Sequence, residues 1–299
     1  MRDYNYHATI SVKTKILNQC RKIFMHGFAE KLLLKKMIAS KGNSIWHKAV
    51  PPEYLYPTDS WRPYERNGIR LNLNISNVVD HVKYFGFTDI GFENFVKKIQ
   101  PHFTVLDIGG NIGLTCLEFA KKVAYGQVIS FEPSPANFKR LQENVSLNGF
   151  KNITLVNAGI GDAAGKFSLY NVVDSNPGMK RILNALHAEN FESEQIVIDT
   201  LQNQLTDLNI KEVHAVKIDV EGFEFKVLQS AAYLLKKYRP ILFIELDDAN
   251  LKDQNSSAVE LIQYLKALDY KIYEAQSLGN NLLDAGVDYS NCHFDIICE

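Results

Sequence analysis

From residue 103 onward, apolar residues fall in short runs separated by stretches with helical spacing. Residues 103–108 form such a run and predict a parallel strand buried on both faces. Similar runs at 127–131, 152–157, 214–220, 241–246, 271–274 and 294–298 predict further strands. Residues 114–123 between them read as a helix. Ser134-Pro135 opens the next helix, with serine as N-cap and proline at its first position. Phe138, Leu141 and Val145 share a face of it, and Asn148-Gly149 stops it. Val227, Leu228, Ala231, Leu234 and Leu235 make the stripe of another helix, ended by Pro240. Ser257 and Glu260 fit a capping box opening a last helix that carries Ile262, Leu265 and Leu268. The alternation predicts a doubly wound, Rossmann-like α/β fold. Residues 166–201 interrupt it with extra strands and a polar loop at 174–178.

The first hundred residues have a different pattern. Residues 10–40 predict an amphipathic helix and 68–75 an alternating strand, with Pro51, Pro52, Pro57 and Pro63 marking a boundary between them. A helical, basic N-terminal extension over 1–65 and a larger domain over 66–299, its ligand-binding core at about 101–299, are therefore expected. The composition, 46% hydrophobic and 22% charged, is that of an ordinary soluble globular chain. A net charge of −1 gives no global reason to expect a nucleic-acid partner. Cys20, Cys116, Cys292 and Cys298 form no C-x-x-C pair, which argues against a zinc site or a disulfide framework. With no apolar run of membrane-spanning length and no signal-peptide pattern, the expected location is the cytoplasm. Local charge changes the picture at one end. Residues 1–48 hold ten Lys or Arg against two acids, a local charge of +8, interleaved with Ile16, Leu17, Ile23, Phe24, Leu32, Leu33, Leu34 and Met37. The expectation is that this segment packs on the larger domain with its lysines in water. Peripheral contact with an anionic membrane is the alternative.

The most informative stretch is Asp107-Ile-Gly109-Gly110-Asn111-Ile-Gly113, between the first strand and first helix of the α/β pattern. Glycines there allow a tight turn and bring backbone N–H groups close to a ligand at a helix N-terminus. A dinucleotide fingerprint, G-x-G-x-x-G, fails because Asn111 stands where its second glycine belongs. An acid before a glycine-rich turn suits a ligand with a positive group, such as the amino group or sulfonium of S-adenosylmethionine (SAM). Glu132, in Phe131-Glu132-Pro133, ends the second strand, where a carboxylate can accept two hydrogen bonds from a ribose diol.

These residues resemble the FkbM family of class I SAM-dependent methyltransferases. The likeness is carried by 105–113, 129–135, 144–149, 156–158 with Gly161-Asp162, and Lys217-Ile-Asp-Val-Glu-Gly-Phe-Glu224; it extends over about 66–299 and includes Tyr84-Phe-Gly86. The resemblance implies a seven-stranded sheet with an antiparallel last strand, SAM as methyl donor, and oxygen acceptors on sugars, glycans or polyketide-like products. It further implies that Asp107, Gly109, Gly110, Asn111 and Gly113 hold the methionine part of SAM. Glu132 would hold the ribose and Ala158 to Asp162 the adenine edge, with Pro133 also among the cofactor-binding residues. Gly110 would withhold a side chain that could touch the ligand.

In a doubly wound sheet, ligands sit where strand order reverses, here between the strands ending at Asp107 and Asp219. That places Asp219, Glu221 and, on the next strand, Glu245 as candidate catalytic carboxylates. Glu221 is the favoured base for a hydroxyl proton, Asp219 the alternative, and a helix cap at Glu221 the competing structural role. Mg²⁺ held by Asp219 and Glu245 with Asp247 or Asp248 is conceivable but not favoured, so no metal is expected. His214 and His187 are expected to be structural or solvated, and Tyr84, Phe85 and Phe87 to lie in a core or over the acceptor. The expected function is methyl transfer from SAM to a hydroxyl of a saccharide, glycan or glycolipid. A nitrogen acceptor on a peptide or small amine, and a non-catalytic SAM-binding module, stay open.

Overall fold

The computed structural model describes residues 10–40, 45–171, 180–182, 191–277, 281–284 and 286–299, and it divides into two compact units after Thr88. In the first unit the expected single helix over 10–40 is two, α1 (Val12–Arg21) and α2 (Gly27–Ala39), joined by a 3₁₀ turn. His26 is extended and Gly27 lies at φ +64°, a left-handed backbone that interrupts the helix. The strand expected at 68–75 is half of a hairpin, β1 (Trp61–Arg66) with β2 (Ile69–Asn74). Asn67 and Gly68, at φ 52° and 75°, form the two-residue turn that Asn-Gly favours. Pro63, which argued for a boundary, sits within β1, as a strand with an unpaired edge allows, and the division drawn at 65/66 falls inside the same strand. After α3 (Val78–Phe85), Gly86 caps the helix in the left-handed region. Leu33, Met37, Ile69, Leu71, Leu73, Tyr84 and Phe85 are buried, so both aromatics serve this unit's interior.

The second unit opens with α4 (Ile90–Lys98) and continues as β3 (Thr104–Ile108), α5 (Leu114–Lys122), β4 (Gln127–Phe131), α6 (Pro135–Ser146) and β5 (Ile153–Val156). Ser134 caps α6 as its sequence predicts, its hydroxyl accepting from the Asn137 N–H at 3.2 Å. Next come β6 (Gly159–Ile160), β7 (Gly165–Asn171), β8 (Lys180–Arg181), β9 (Ser193–Asp199) and α7 (Leu201–Asp207). The chain then forms β10 (Ala215–Ile218), α8 (Glu224–Ser230), α9 (Ala232–Tyr238), β11 (Ile241–Asp247), α10 (Asp248–Asp253), α11 (Ala258–Ala267), β12 (Ile272–Glu274) and β13 (His293–Cys298).

The main sheet has seven strands in the order β12–β13–β11–β10–β3–β4–β5, with β13 antiparallel to both neighbours. The expected fold class and its antiparallel last strand are both present. The extra strands of 166–201 form a separate four-stranded sheet, β6–β9–β7–β8, while the polar loop at 174–178 and His187 lie outside the described residues. Two elements differ from expectation. The helix after β10 is split at Ala231 into α8 and α9, and α10 starts directly from β11, with Asp247 as its cap.

Strand alternation assigns each face its partners. Leu106, Ile108, Ile129, Phe131, Val216, Ile218, Leu242 and Ile244 pack in one cluster with Leu205, Leu228, Leu235 and Leu261 of the helices. On the opposite face, Phe243 of β11 meets Phe92 and Phe95 of α4 at ring-centroid distances of 5.9 and 5.4 Å. That second face also carries polar residues in register. Ser130 pairs with Asp107 and Asp107 with Lys217. Two residues further along lie Asp219 and Glu245, and Glu245 pairs with Asp295 of β13. His214, at the far end of the sheet, stacks on Phe103 at 4.8 Å and accepts the Thr104 N–H, a structural role.

The reversal of strand order packs the turn after β3 against the turn after β10. Gly109 has φ +88°, and a Cβ there would lie 1.9 Å from the backbone oxygen of Asp219. Gly109→Ala should therefore destabilise the protein by about 2–4 kcal/mol, seen as a lower urea midpoint. Gly149→Ala, where a Cβ meets nothing within 4 Å, should be near neutral. Equal midpoints for the two variants would contradict this packing.

Candidate active site

The glycine turn is built from beneath by a buried polar row. Asp107 is fully buried; Thr115 Oγ1 and Ser130 Oγ each donate to its carboxylate at 3.0 Å. Lys217, also buried, donates from Nζ to the Gly109 carbonyl at 2.8 Å, pairs with Asp219 at 3.0 Å, and lies 3.9 Å from Asp107. Burial raises the pKa of Asp107, opposed by Lys217 and the two hydroxyls. Burial alone would lower that of Lys217, but Asp219 and Asp107 more than offset it and hold the ammonium charged. The carboxylate expected to meet a ligand's positive group is thus occupied in bracing the turn. The position of Gly110 has a similar explanation: a Cβ would come 2.1 Å from Ser130 Oγ, so the missing side chain makes room for this row rather than for a ligand.

Above the row, the Gly109 and Gly110 N–H groups both donate to the Phe131 carbonyl, at 3.0 and 2.9 Å. Asn111, at φ +48°, turns its N–H to Glu132 Oε2 at 2.8 Å, and the Ser134 N–H donates to Oε1 at 2.9 Å. Glu132 therefore ties the glycine turn to the start of α6. Burial pushes its carboxyl up to about 7, against the pull of these two backbone donors. Each oxygen keeps acceptor capacity for a further donor. At Gly113, φ is +94° and a Cβ would strike Leu141 at 2.7 Å, so glycine is needed to seat α5 against α6. Pro133 lies beside Gly159, and Asn157 Nδ2 donates to the Glu132 and Pro133 carbonyls at 2.8 and 3.2 Å. Ala158 is buried next to them, and Asp162 is exposed beyond β6.

The carboxylates at the ends of β10, β11 and β13 form the other wall. Asp219 is half-exposed and leaves the strand earlier than its sequence suggests, because the chain turns sharply at Glu221 (φ +54°) and Gly222 (φ +109°). Glu224 closes that turn, its Oε1 accepting the Val220 and Gly222 N–H groups at 2.9 and 3.2 Å. No side chain caps the start of α8, so the capping role considered for Glu221 is not filled there; Glu224, a residue the sequence reading passed over, instead braces the turn that precedes the helix. Its signal was an acid in the first turn of a helix. Glu221 Oε2 instead accepts from Asn250 Nδ2 at 3.1 Å and from Arg181 at 3.3 Å. Burial and the Asp219 charge lift Glu221 to about 7, against Arg181. Glu245 Oε2 is sealed from solvent without a hydrogen-bond partner among the described residues, and burial, then Asp219 and Glu221, push that carboxyl well upward. Burial and the neighbouring Asp89 and Asp219 raise Asp295 to about 7.

Of the acids considered for Mg²⁺, Asp247 and Asp248 are committed elsewhere. Asp247 Oδ1 caps α10 and its Oδ2 faces His293 at 2.9 Å; Asp248 accepts the Ala258 and Asn291 N–H groups and pairs with Lys252 at 2.7 Å. Among the described residues no three His, Cys, Asp or Glu side chains converge as a metal-holding group.

The model of the methyltransferase FkbM domain matches residues 107–272, more than half of the chain and the span that holds most of these side chains. Methyltransferase 1 of Beauveria bassiana (strain ARSEF 2860) is 29% identical over 146 residues, covering 42% of this chain and 57% of that protein. The chain thus matches little more than half the length of that relative. Among solved structures, methyltransferase FkbM from Methylobacillus flagellatus KT aligns over 89% of this chain and 58% of its own, with 12% identity and a TM-score of 0.44. M. jannaschii TYW2 in complex with AdoMet aligns over 81% and 86%, with 12% identity and a TM-score of 0.43.

The raised carboxyls have a consequence for stability. Glu132, Glu221, Glu224 and Asp295 hold protons up to about pH 7 when folded, whereas the unfolded chain releases them near 4. Between those values the folded state binds more protons, so stability falls as pH rises from about 4.5 to 7. Each ionisation costs on the order of 1–3 kcal/mol. The depressed groups Asp199 and Asp248 act only at lower pH, where their stabilisation is lost. The ligand-free chain should therefore show a higher urea midpoint at pH 5.5 than at pH 7.5, with a shallower slope in Glu224→Gln. A midpoint that rises over this interval would contradict the assignment.

Proposed function

The chain belongs to the FkbM methyltransferase family, and we propose that it transfers a methyl group from SAM to a hydroxyl of a saccharide, glycan or glycolipid acceptor. The observation that carries the reading is Glu132 closing on the glycine turn across the sheet's switch point from Asp219, Glu221 and Glu245. The residues suit SAM. Glu132 retains acceptor capacity for a ribose diol, and the turn at Gly109 to Gly113 is held open from below. Ala158 and Gly159 line up behind Pro133 for the base, with Asp162 further out on the same segment. Asp107 enters this reading as the brace of the turn, its effect on the ligand passing through backbone position.

SAM supplies, when bound, a methyl group on a sulfonium leaving group. What this chain's residues contribute is alignment and proton removal. Alignment comes from the rigid turn and strand ends, since displacement needs close, in-line approach. Proton removal falls to Glu221, whose carboxyl titrates near 7 and so can exist as a base at neutral pH. Arg181 and Asn250 hold that carboxylate at Oε2. Asp219, half-exposed and anchored by Lys217, orients the acceptor. Glu245, its carboxyl pushed well upward by burial and the neighbouring Asp219 and Glu221, offers a hydrogen-bonding group to a second hydroxyl.

Methyl-labelled SAM incubated with the full chain and fractionated cell extract tests the reading. Glu221→Gln and Asp219→Asn should lower turnover about 10²–10⁴-fold while calorimetry still detects SAM. Glu132→Ala should weaken SAM binding more than tenfold, as loss of a charge-assisted bidentate contact would (roughly a tenfold or greater effect). Full turnover in both Glu221 and Asp219 variants would remove the carboxylate mechanism. Absence of any SAM binding to the folded chain would remove the function.

A further inference from the structure

We propose that α1 and α2 form a docking surface for an anionic lipid bilayer. The reason lies in how α1 is attached. A surface helix ordinarily buries its apolar stripe and leaves its polar face in water. In α1 the arrangement is reversed. Asn18 is its one buried residue and donates to Tyr54 Oη at 3.0 Å; Arg21 donates to the Lys48 carbonyl at 2.8 Å. The apolar positions Val12 and Ile16, four residues apart and so on one face, are 74% and 64% exposed, and Ile23 just beyond is 70% exposed. The helix is fastened by polar contacts and turns its hydrophobic side outward.

Helix α2 extends the pattern. Its inward stripe is Glu30, Leu33 and Met37, and the opposite side carries Phe28, 81% exposed, and Leu32. Lysines 13, 15, 22, 31, 35 and 36 are all exposed among these residues. Of the apolar residues named from the sequence, Leu33 and Met37 are buried, whereas Ile16, Leu17, Ile23 and Leu32 are exposed. Exposed apolar residues interleaved along the chain with cations fit an interface whose interior is hydrocarbon and whose rim is anionic. The local charge of +8 over residues 1–48 opposes pairing with a second, equally charged copy and favours a negatively charged surface. No helix among the described residues is long and apolar enough to cross a membrane, so the contact proposed is with the bilayer's surface. The proposal stands whether or not the methyl-transfer reading does.

Co-sedimentation of the full chain with vesicles tests it. Vesicles of phosphatidylcholine with about 30 mol% phosphatidylserine should bind at least about tenfold more protein than phosphatidylcholine alone, and the excess should shrink as salt rises to about 0.5 M. Ile16→Ser, Ile23→Ser and Phe28→Ser combined should lower binding about tenfold with the melting temperature unchanged, because these side chains support no core. Lys31→Glu with Lys35→Glu should do the same by charge. Equal binding to both vesicle types, no binding to either, or loss of binding only in variants whose melting temperature also drops would overturn the proposal. So would a concentration-dependent dimer, by light scattering, that the serine substitutions abolish.

Discussion

A single buried ammonium group sets the geometry of the candidate site. Strand alternation forces Lys217 onto the inner face opposite Asp107, where a charge without partners would cost several kcal/mol or more. It is accommodated because three oxygens from three segments converge on it: Asp107 of β3, the carbonyl of Gly109, and Asp219 beyond β10. The same contacts fix the glycine turn relative to the edge that carries the candidate base. Neither half of the site is positioned independently of the other.

Around that one cation the strand ends gather more carboxyls than it can neutralise. Glu224 is satisfied by backbone N–H groups and Glu221 by Arg181 and Asn250, yet Glu245 Oε2 has no donor among the described residues and Asp295 faces other acids. Glu221 is also held at φ +54°, a backbone region that bulky residues avoid. Strain and electrostatic cost of this kind persist where the surrounding structure enforces them, and they concentrate at functional sites. Here the apolar sheet, with rows such as Leu106, Ile129, Val216 and Leu242 sealed beneath helices, supplies that enforcement. The N-terminal unit shows the complementary situation. Its interior is settled by Leu33, Met37 and the hairpin, which leaves α1 to attach through Asn18 and Arg21 with its hydrophobic stripe unused.

Much of this was legible in the chain itself. Period-two and near-continuous apolar runs, Ser134-Pro135, the Ser257 cap and the glycine turn suffice for a doubly wound sheet with that turn at its switch point, because each is a local pattern with a local cause. Glu132, Asp219, Glu221 and Glu245 stood out as acids where strands end. The tertiary structure alone decided what each carboxylate does, since that depends on donors distant in sequence. Asp107 became a brace because Ser130 and Lys217 are its sheet neighbours, and Glu221 does not cap α8 because its carboxylate is held by Arg181 and Asn250. The helical pattern over 10–40 could not reveal that Gly27 breaks it or that the apolar positions Val12 and Ile16 of α1 face outward. Periodicity records that a face is hydrophobic, but only the packed chain determines whether anything covers it.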